Sequence, residues 1–210
     1  MTLIELKDVT KKFGEKTVIN KLTLQIEAGK TYAVVGRSGC GKSTLLNIMG
    51  GIERATSGNV KILGNENISP NSYKARNFLR YHISFLFQNY ALSDNDTVEY
   101  NLKMALLYNN EVKDKKKAIS TVLNRVGMDS FEKNKIYTLS GGEQQRVAMA
   151  RLLLKPTQIA LADEPTANLD TINRDVIIKL LMELNEEGKT IILATHDSDL
   201  AKNCSVIIEL

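Results

Sequence analysis

A glycine-rich octapeptide near the start of the chain constrains its fold more than any other feature. Residues 36–43 read Gly-Arg-Ser-Gly-Cys-Gly-Lys-Ser. The apolar run Thr31–Val35 precedes this loop, and the helical pattern Lys42–Met49 follows it. In a strand–loop–helix of this kind, glycines let backbone N–H groups turn inward, and the helix N-terminus attracts an anion. The sequence therefore predicts an α/β protein built around a phosphate-binding loop.

Each residue type in the loop has a role in binding a nucleoside triphosphate. Lys42 would place a cation near the β- and γ-phosphates, and the Ser43 hydroxyl would bind Mg²⁺. Cys40 fills a permissive position of the motif; the alternative is an accessible thiol, at which a bulky thiol reagent would block ATP entry. The expected nucleotide-binding residues of the loop are Gly36, Arg37, Ser38, Gly39, Cys40, Gly41, Lys42, Ser43 and Thr44.

Two carboxylates follow a second buried strand. The run Ile159–Ala162 is apolar, and Asp163 and Glu164 come directly after it. Ligands of α/β sheets bind at the carboxyl ends of the strands. We therefore expect Asp163 to reach the Mg²⁺ held by Ser43, and Glu164 to act on the attacking water as a general base or orienting group. Taken alone, the pair is also typical of an ordinary acidic turn.

The segment Leu139–Glu143 reads Leu-Ser-Gly-Gly-Glu and opens a helix. Ser140, Gly141 and Gly142 therefore form a second potential anion-binding helix N-terminus. In an arbitrary protein, a serine N-cap followed by flexible glycines would be the default interpretation. One triphosphate does not need two such cradles from one chain, so the second cradle is expected to serve a nucleotide bound to another copy.

With these motifs in order, the chain resembles the ATP-binding-cassette (ABC) ATPases over nearly its whole length. Leu139–Glu143 looks like the signature motif of that family. The resemblance implies that Gln88 contacts Mg²⁺ and water and senses a transmembrane partner, and that His196 contacts the γ-phosphate. It implies that residues 167–170, Ala-Asn-Leu-Asp, cross a dimer interface and bring Asp170 to the nucleotide. Phe13 lies where the family places an adenine-stacking aromatic residue, more often tyrosine.

The resemblance also implies an architecture, a P-loop NTPase with a RecA-like, mainly parallel sheet and an N-terminal antiparallel β layer. Alternation of Leu22, Leu24 and Ile26 with polar residues favours that antiparallel layer. Helical patterns fill residues 89–138, which we interpret as an inserted α-helical subdomain. Residues 1–88 and 139–210 would then form the ATP-binding core of one domain spanning 1–210.

The cofactors and partners follow from the same resemblance. We expect ATP and Mg²⁺, an ATP-dependent homodimer, and a transmembrane permease subunit. The branch most similar to residues 139–146 and 162–170 serves lipoprotein release, macrolide export and antimicrobial-peptide export. Residues 90–98 depart from that branch, which commonly carries a proline where this chain has Asp94-Asn95-Asp96.

Composition restricts the remaining possibilities. The net charge of +4 is mild and fits a solvated lysine-rich surface, with a docking face for acidic lipid or nucleic acid as the alternative. Two distant cysteines, Cys40 and Cys204, predict no disulfide framework and a reducing compartment. No run reaches the ~18 apolar residues of a membrane span, the N-terminus does not read as a signal peptide, and no regulatory domain is expected after Leu210. We expect a cytoplasmic protein, peripheral on the inner face of the cell membrane.

Three functions remain open at this stage. The first is an export ATPase, and the second is an ABC ATPase that moves a membrane partner without transport, as in cell division or envelope remodelling. The third, a soluble ABC ATPase acting on DNA or ribosomes, is disfavoured. Such proteins carry long coiled coils or two cassettes, so we expect no nucleic-acid partner.

Overall fold

The computed structural model describes residues 1–167 and 169–210. Over these residues the chain forms two sheets and seven α-helices. The strands are β1 Thr2–Phe13, β2 Lys16–Glu27, β3 Thr31–Val35, β4 Ser57–Ile62, β5 Asn65–Glu66, β6 Ile83–Leu86, β7 Ile159–Asp163, β8 Thr190–Thr195 and β9 Val206–Glu209. The helices are α1 Lys42–Met49, α2 Tyr73–Tyr81, α3 Val98–Ala105, α4 Lys115–Arg125, α5 Gly141–Leu153, α6 Thr171–Glu186 and α7 Ser198–Lys202.

A five-stranded parallel sheet forms the centre of the molecule, with the strand order β6-β7-β8-β3-β9. All six residues of β8 are buried, as are the first four of β3 and of β7. Strands covered on both faces read as continuous apolar runs, which is why the sequence predicted them. The sheet brings the carboxyl ends of β3, β7 and β8 to one edge.

The second sheet is antiparallel and has the order β2-β1-β4-β5. Leu22, Leu24 and Ile26 point to its covered side and alternate with exposed neighbours, as predicted. These residues belong to one continuous strand, β2, which begins at Lys16 and ends at Glu27. Register shifts against β1 absorb the irregularity at Lys21, whose φ is 46°.

The helices between β6 and β7 follow the predicted apolar spacing. Ile119, Val122 and Leu123 form the buried face of α4. The helix ends just before Gly127, which has a φ of 66° and thus adopts the left-handed conformation that commonly closes a helix. Helices α3 and α4 both pack against α5.

Two helices escaped sequence analysis, α2 and α7. Helix α2 buries only Ala75 and Phe78, too few apolar points to define a period, although Ser72 caps it by accepting a hydrogen bond from the Ala75 N–H. Helix α7 has only five residues and is capped by Asp197. Short helices of this kind depend on tertiary packing rather than on their own propensity.

Two apolar clusters cover the two faces of the parallel sheet. One joins the antiparallel sheet to α1, through residues such as Ile4, Leu45 and Ile192. The other runs from Leu102 in α3 to Leu181 in α6 without interruption. This second core crosses the predicted boundary at residue 139, and the division into a core and a helical insert stays a prediction.

We also searched the helices for a membrane span. Among the residues that the structure describes, no helix combines the length and the apolar character needed to cross a bilayer.

Candidate active site

The loop between β3 and α1 has the backbone of a phosphate cradle. Gly36, Gly39 and Gly41 have φ values of 156°, 75° and 112°, a region that side chains rarely tolerate. A Cβ on Gly41 would lie 2.6 Å from Cγ1 of Val18, so β2 packs directly on the loop. The N–H groups in the first turn of a helix have no partner within that helix, so the start of α1 can bind an anion.

Lys42 begins α1 with its side chain only 7% exposed. Its Nζ donates hydrogen bonds to the carbonyl oxygens of Gly36, at 3.0 Å, and Arg37, at 3.4 Å. The same atom lies 3.6 Å from Oε1 of Glu164. The ammonium is thus held inside the loop, where a bound phosphate would meet it.

Asp163 ends β7 and pairs in register with Ala194 of the neighbouring β8. Its Oδ1 is buried and has no hydrogen-bond partner among the described residues. Burial raises the pKa of the carboxyl above its ordinary value, while a hydrogen bond from the Ser43 side chain opposes the shift. A buried carboxylate oxygen without a partner, beside a serine hydroxyl, is a donor set that fits Mg²⁺.

Glu164 contacts both a cation and an imidazole. Its Oε2 lies 2.8 Å from Nδ1 of His196, and its Oε1 faces Lys42. The carboxylate side chain is 13% exposed, whereas that of His196 is 71% exposed. Glu164 has a φ of 46°, a left-handed backbone unusual for a residue with a side chain. Such conformations persist where the surrounding structure fixes them, and often at functional sites.

Lys42, Glu164 and His196 border a cavity of about 640 Å³, whereas Asp163 is not among its lining residues. Nine predicted site residues line it: Ser38, Gly39, Gly41, Lys42, Ser43, Thr44, Gln88, Glu164 and His196. Val18 and Ala167 line it as well, and sequence analysis did not assign them to the site. Val18 lies in β2, and no pattern in the sequence predicts that this strand approaches the loop.

Other predicted site residues do not line this cavity. Gly36, Arg37 and Cys40 belong to the loop but are not among the lining residues. A Cβ on Gly36 would lie 2.7 Å from Sγ of Cys40, so these two residues pack closely within the loop. Phe13 ends β1 and is 51% exposed, with Nζ of Lys11 at 4.7 Å from its ring centroid. Its assignment to adenine stacking stays a prediction.

Asp170 caps α6. It accepts hydrogen bonds from the backbone N–H and the side-chain amide of Asn173, at 2.9 and 2.6 Å, and these bonds lower the pKa of its carboxyl. Within the predicted interface segment, Asn168 lies outside the described residues. The approach of Asp170 to a nucleotide stays a prediction.

Ser140, Gly141 and Gly142 form an exposed to half-buried turn at the start of α5, away from the cavity lining. A capping box holds the turn, in which Ser140 and Glu143 bond each other through side chain and backbone. A Cβ on Gly142 would lie 2.9 Å from Nδ2 of Asn173, and one on Gly141 would lie 3.3 Å from the hydroxyl of Tyr90. A side chain at position 142 would therefore displace that of Asn173, whereas one at position 141 would make only a tight contact with Tyr90.

A second cavity, of about 460 Å³, lies between α2, β6, α3 and α5. Its lining is mostly apolar, including Phe87 and Met104, but carries four basic side chains: Arg76, Arg80, Arg151 and Lys155. Arg151 donates to the carbonyl oxygens of Tyr90 and Ala91. Burial and the nearby Arg151 lower the pKa of Lys155 to about 8, which leaves it mostly charged at neutral pH. We call this second cavity the basic groove.

The whole chain was then compared with known proteins. The sequence model described as "ABC transporter" matches residues 19–167. The chain is 38% identical over 215 residues to the macrolide export ATP-binding/permease protein MacB of Mannheimia succiniciproducens, and the match covers 100% of the chain but 33% of that protein. It is 38% identical to the probable syringafactin export ATP-binding/permease protein SyfD of Pseudomonas syringae, with 99% and 33% covered. The chain thus spans about a third of the length of these relatives.

Solved structures agree with this result. The dimeric post-hydrolysis state of the ATP-binding cassette MJ0796 bound to ADP and Pi superimposes with a TM-score of 0.90 and 34% identity, covering 99% of this chain and 94% of that one. A second dimeric structure of MJ0796 gives a TM-score of 0.89. The predicted fold, a mainly parallel sheet with an antiparallel β layer and helices, is confirmed.

Proposed function

The chain belongs to the ABC transporter family, and on that premise we propose that it is the ATP-hydrolysing subunit of an export system. Two copies would enclose two ATP molecules and drive a membrane permease. The site at the edge of the parallel sheet supports this function best. There Lys42 and its neighbours in the phosphate loop line one cavity together with Glu164 and His196.

The proposed chemistry follows from the contacts of these side chains. Lys42 binds the β- and γ-phosphates, and Glu164 takes a proton from the attacking water. His196 orients the Glu164 carboxylate through the 2.8 Å contact and reaches the γ-phosphate. A general base positioned in this way contributes about 10²- to 10⁴-fold to the rate.

Ser43, Gln88 and Asp163 are the residues that would hold Mg²⁺. The bound ion would neutralise charge that develops on the β- and γ-phosphate oxygens. The buried Oδ1 of Asp163, which has no partner among the described residues, is the observation in favour of this assignment.

The second cradle supports the homodimer. The lining of the active-site cavity contains none of the described residues Ser140, Gly141 and Gly142. These residues would instead meet the γ-phosphate of ATP bound to the other copy. Phe13 of the copy that binds this ATP would stack on its adenine, and Asp170 would reach the nucleotide from the segment that crosses the interface. ATP bound by both copies then favours the dimer by mass action, and hydrolysis removes the bridge.

The basic groove supports a membrane partner. It lies beside Gln88, because Phe87 and Ala91 line it. Its apolar walls and four basic side chains fit an amphipathic helix that carries a carboxylate. We assign the groove to the permease, which would hold this subunit at the inner face of the cell membrane; the permease could equally be a further part of one longer chain.

The trapped dimer tests the proposal. Glu164→Gln retains the shape of the side chain but cannot accept the proton, so ATP should bind and remain. Sedimentation velocity with increasing ATP should convert the variant from monomer to dimer, and ADP should not. Adding Ser140→Ala should abolish the dimer. A Glu164→Gln protein that hydrolyses ATP at the wild-type rate, or that stays monomeric in saturating ATP, contradicts the proposal.

The second candidate is an ABC ATPase that transmits motion to a membrane partner without transporting a substrate. The same site and groove would serve it, because both candidates use ATP to move a partner. Copurification of the permease, followed by ATP-dependent uptake of a candidate peptide or macrolide into inverted vesicles, separates the two. ATP hydrolysis stimulated by the permease, without uptake of any substrate tested, favours the second candidate.

A further inference from the structure

Glu143 lies in the first turn of α5 and forms hydrogen bonds with Ser140, the residue that caps this helix. Its Oε2 accepts hydrogen bonds from both the backbone N–H and the hydroxyl of Ser140, each at 2.7 Å. The Glu143 N–H points back to the Ser140 hydroxyl oxygen at 3.4 Å. Three hydrogen bonds thus join Ser140 and Glu143 within one chain.

A serine hydroxyl has one proton to donate. In this structure the proton of Ser140 goes to Glu143. A γ-phosphate that reaches the turn needs the same proton, because phosphate oxygens only accept. The carboxylate of Glu143 and the incoming phosphate therefore compete for one donor.

Charge adds to this competition. The hydrogen bonds from the Ser140 side chain and backbone lower the pKa of the Glu143 carboxyl, so it is ionised at neutral pH. Its negative charge already satisfies the positive end of the α5 helix dipole. A phosphate that binds to the turn must therefore approach the negative charge of Glu143.

We propose that Glu143 is a positioning residue that holds the Ser140 hydroxyl in reserve, and thereby raises the ATP concentration at which two copies associate. The inference rests on the proposed function, in which Ser140 of one copy meets ATP bound to the other. It goes beyond that function because it attributes the ATP concentration needed for dimerisation to a hydrogen bond within one copy, rather than to contacts with ATP.

Glu143→Gln separates the two roles of this side chain. Glutamine keeps the capping box, since its carbonyl oxygen can accept the Ser140 N–H. Its amide can donate to the Ser140 oxygen, which releases the hydroxyl proton for phosphate. The substitution also removes the negative charge. Capping of α5 should survive while the competition with phosphate disappears.

The test uses sedimentation velocity of the full chain in the Glu164→Gln background, with ATP as the titrant. Adding Glu143→Gln should lower the ATP concentration at half-maximal dimerisation about fivefold, because a charge-assisted hydrogen bond is roughly twice as strong as a neutral one. Glu143→Asp, whose shorter side chain withdraws from Ser140 but keeps its charge, should shift the midpoint in the same direction by less. The melting temperature of each variant is measured in parallel.

Glu99→Gln is the matched control, because Glu99 is also an acid in the first turn of a helix. It should leave the midpoint unchanged, and an equal shift there would assign the effect to overall charge and overturn the proposal. Midpoints that stay constant or rise in both Glu143 variants also overturn it. Failure of the parent to dimerise, or dimerisation that survives Ser140→Ala, instead contradicts the proposed function itself.

Discussion

Nδ1 of His196 and Oε2 of Glu164 lie 2.8 Å apart, although His196 is largely exposed and Glu164 is nearly buried. A second contact, from the His196 N–H to the same oxygen at 3.4 Å, fixes the carboxylate from the end of β8. The two residues thus form one unit, built from the ends of two neighbouring strands.

Residues that act as a unit lose activity non-additively. We expect Glu164→Gln and His196→Ala each to lower kcat at least about 100-fold, and the double variant to be no slower than the slower single variant. Stability should change by less than about 0.5 kcal/mol in His196→Ala, since the side chain is exposed. The check is phosphate release in single turnover, and losses that multiply in the double variant would show that the residues act independently.

Lys42 is the cation inside the phosphate loop, and its removal should weaken nucleotide binding. Lys42→Ala removes a charge-assisted contact, so the Kd for ATP should rise about 10- to 100-fold. Fluorescent-nucleotide titration measures the change. Lys30→Ala is the control, because that lysine pairs with Glu27 at the surface. An unchanged ATP affinity in Lys42→Ala would rule out the assigned role.

Asp163 is a buried acid whose charge opposes folding. Its folded-state pKa is raised above the ordinary 3.8, so the charge costs stability at neutral pH, and the cost disappears as pH falls through the raised pKa. Asp163→Asn should therefore raise the Tm at pH 7. It should also abolish ATPase activity.

Calorimetry between pH 4 and pH 8 checks this sign. The Tm difference between Asp163→Asn and the wild type should be largest at pH 8 and shrink towards pH 4. Asp175→Asn, an exposed acid on α6, should show no such dependence. A wild-type protein more stable than Asp163→Asn at pH 8 in the absence of nucleotide would contradict the assignment of the shift to burial.

Gly36 is needed for steric reasons as well as for its backbone angle. A Cβ there would meet Sγ of Cys40 at 2.7 Å and the carbonyl oxygen of Leu210 at 2.8 Å. Gly36→Ala should lower the free energy of unfolding by about 1–3 kcal/mol. Because the Leu210 oxygen belongs to the backbone, adding Cys40→Ala should restore only part of the loss.

Gly64→Ala is the comparison for this experiment. Gly64 has a φ of 79° but nothing within 4 Å of its Cβ position, so it carries the backbone cost alone. Urea unfolding should rank Gly36→Ala as the more damaging of the two. Equal losses would mean that the contacts with Cys40 and Leu210 relax without cost.

The sequence predicted those parts of the site in which chemistry and local structure coincide. The loop 36–43 could be predicted from its glycine pattern, and the acids at the end of β7 from the apolar run before them. The contact of Val18 with Gly41 could not, since it joins a strand of the antiparallel sheet to the loop that follows β3. Likewise, no pattern predicts that Glu143 bonds the Ser140 hydroxyl, because that depends on the rotamers of both side chains.

The fold, like the site, could be predicted only where a local sequence pattern corresponds to a structural element. Buried strands such as β3 and β7 have continuous apolar runs and were found with nearly correct limits. Helix α2 has a mixed surface and was missed, because its position depends on β6 rather than on its own residues. Tertiary packing decides such elements, and a single sequence contains little trace of it.

The alignment of β7 with β8 places Asp163 opposite Ala194, two residues before His196. Side chains in a strand alternate between faces, so a slip of one residue would turn the carboxylate towards the opposite layer. Backbone pairing between β7 and β8 therefore sets the distance between the acids after β7 and the His196 imidazole. A shift in the register of β7, which does not pair with β3, should abolish hydrolysis while leaving the nucleotide-binding loop intact.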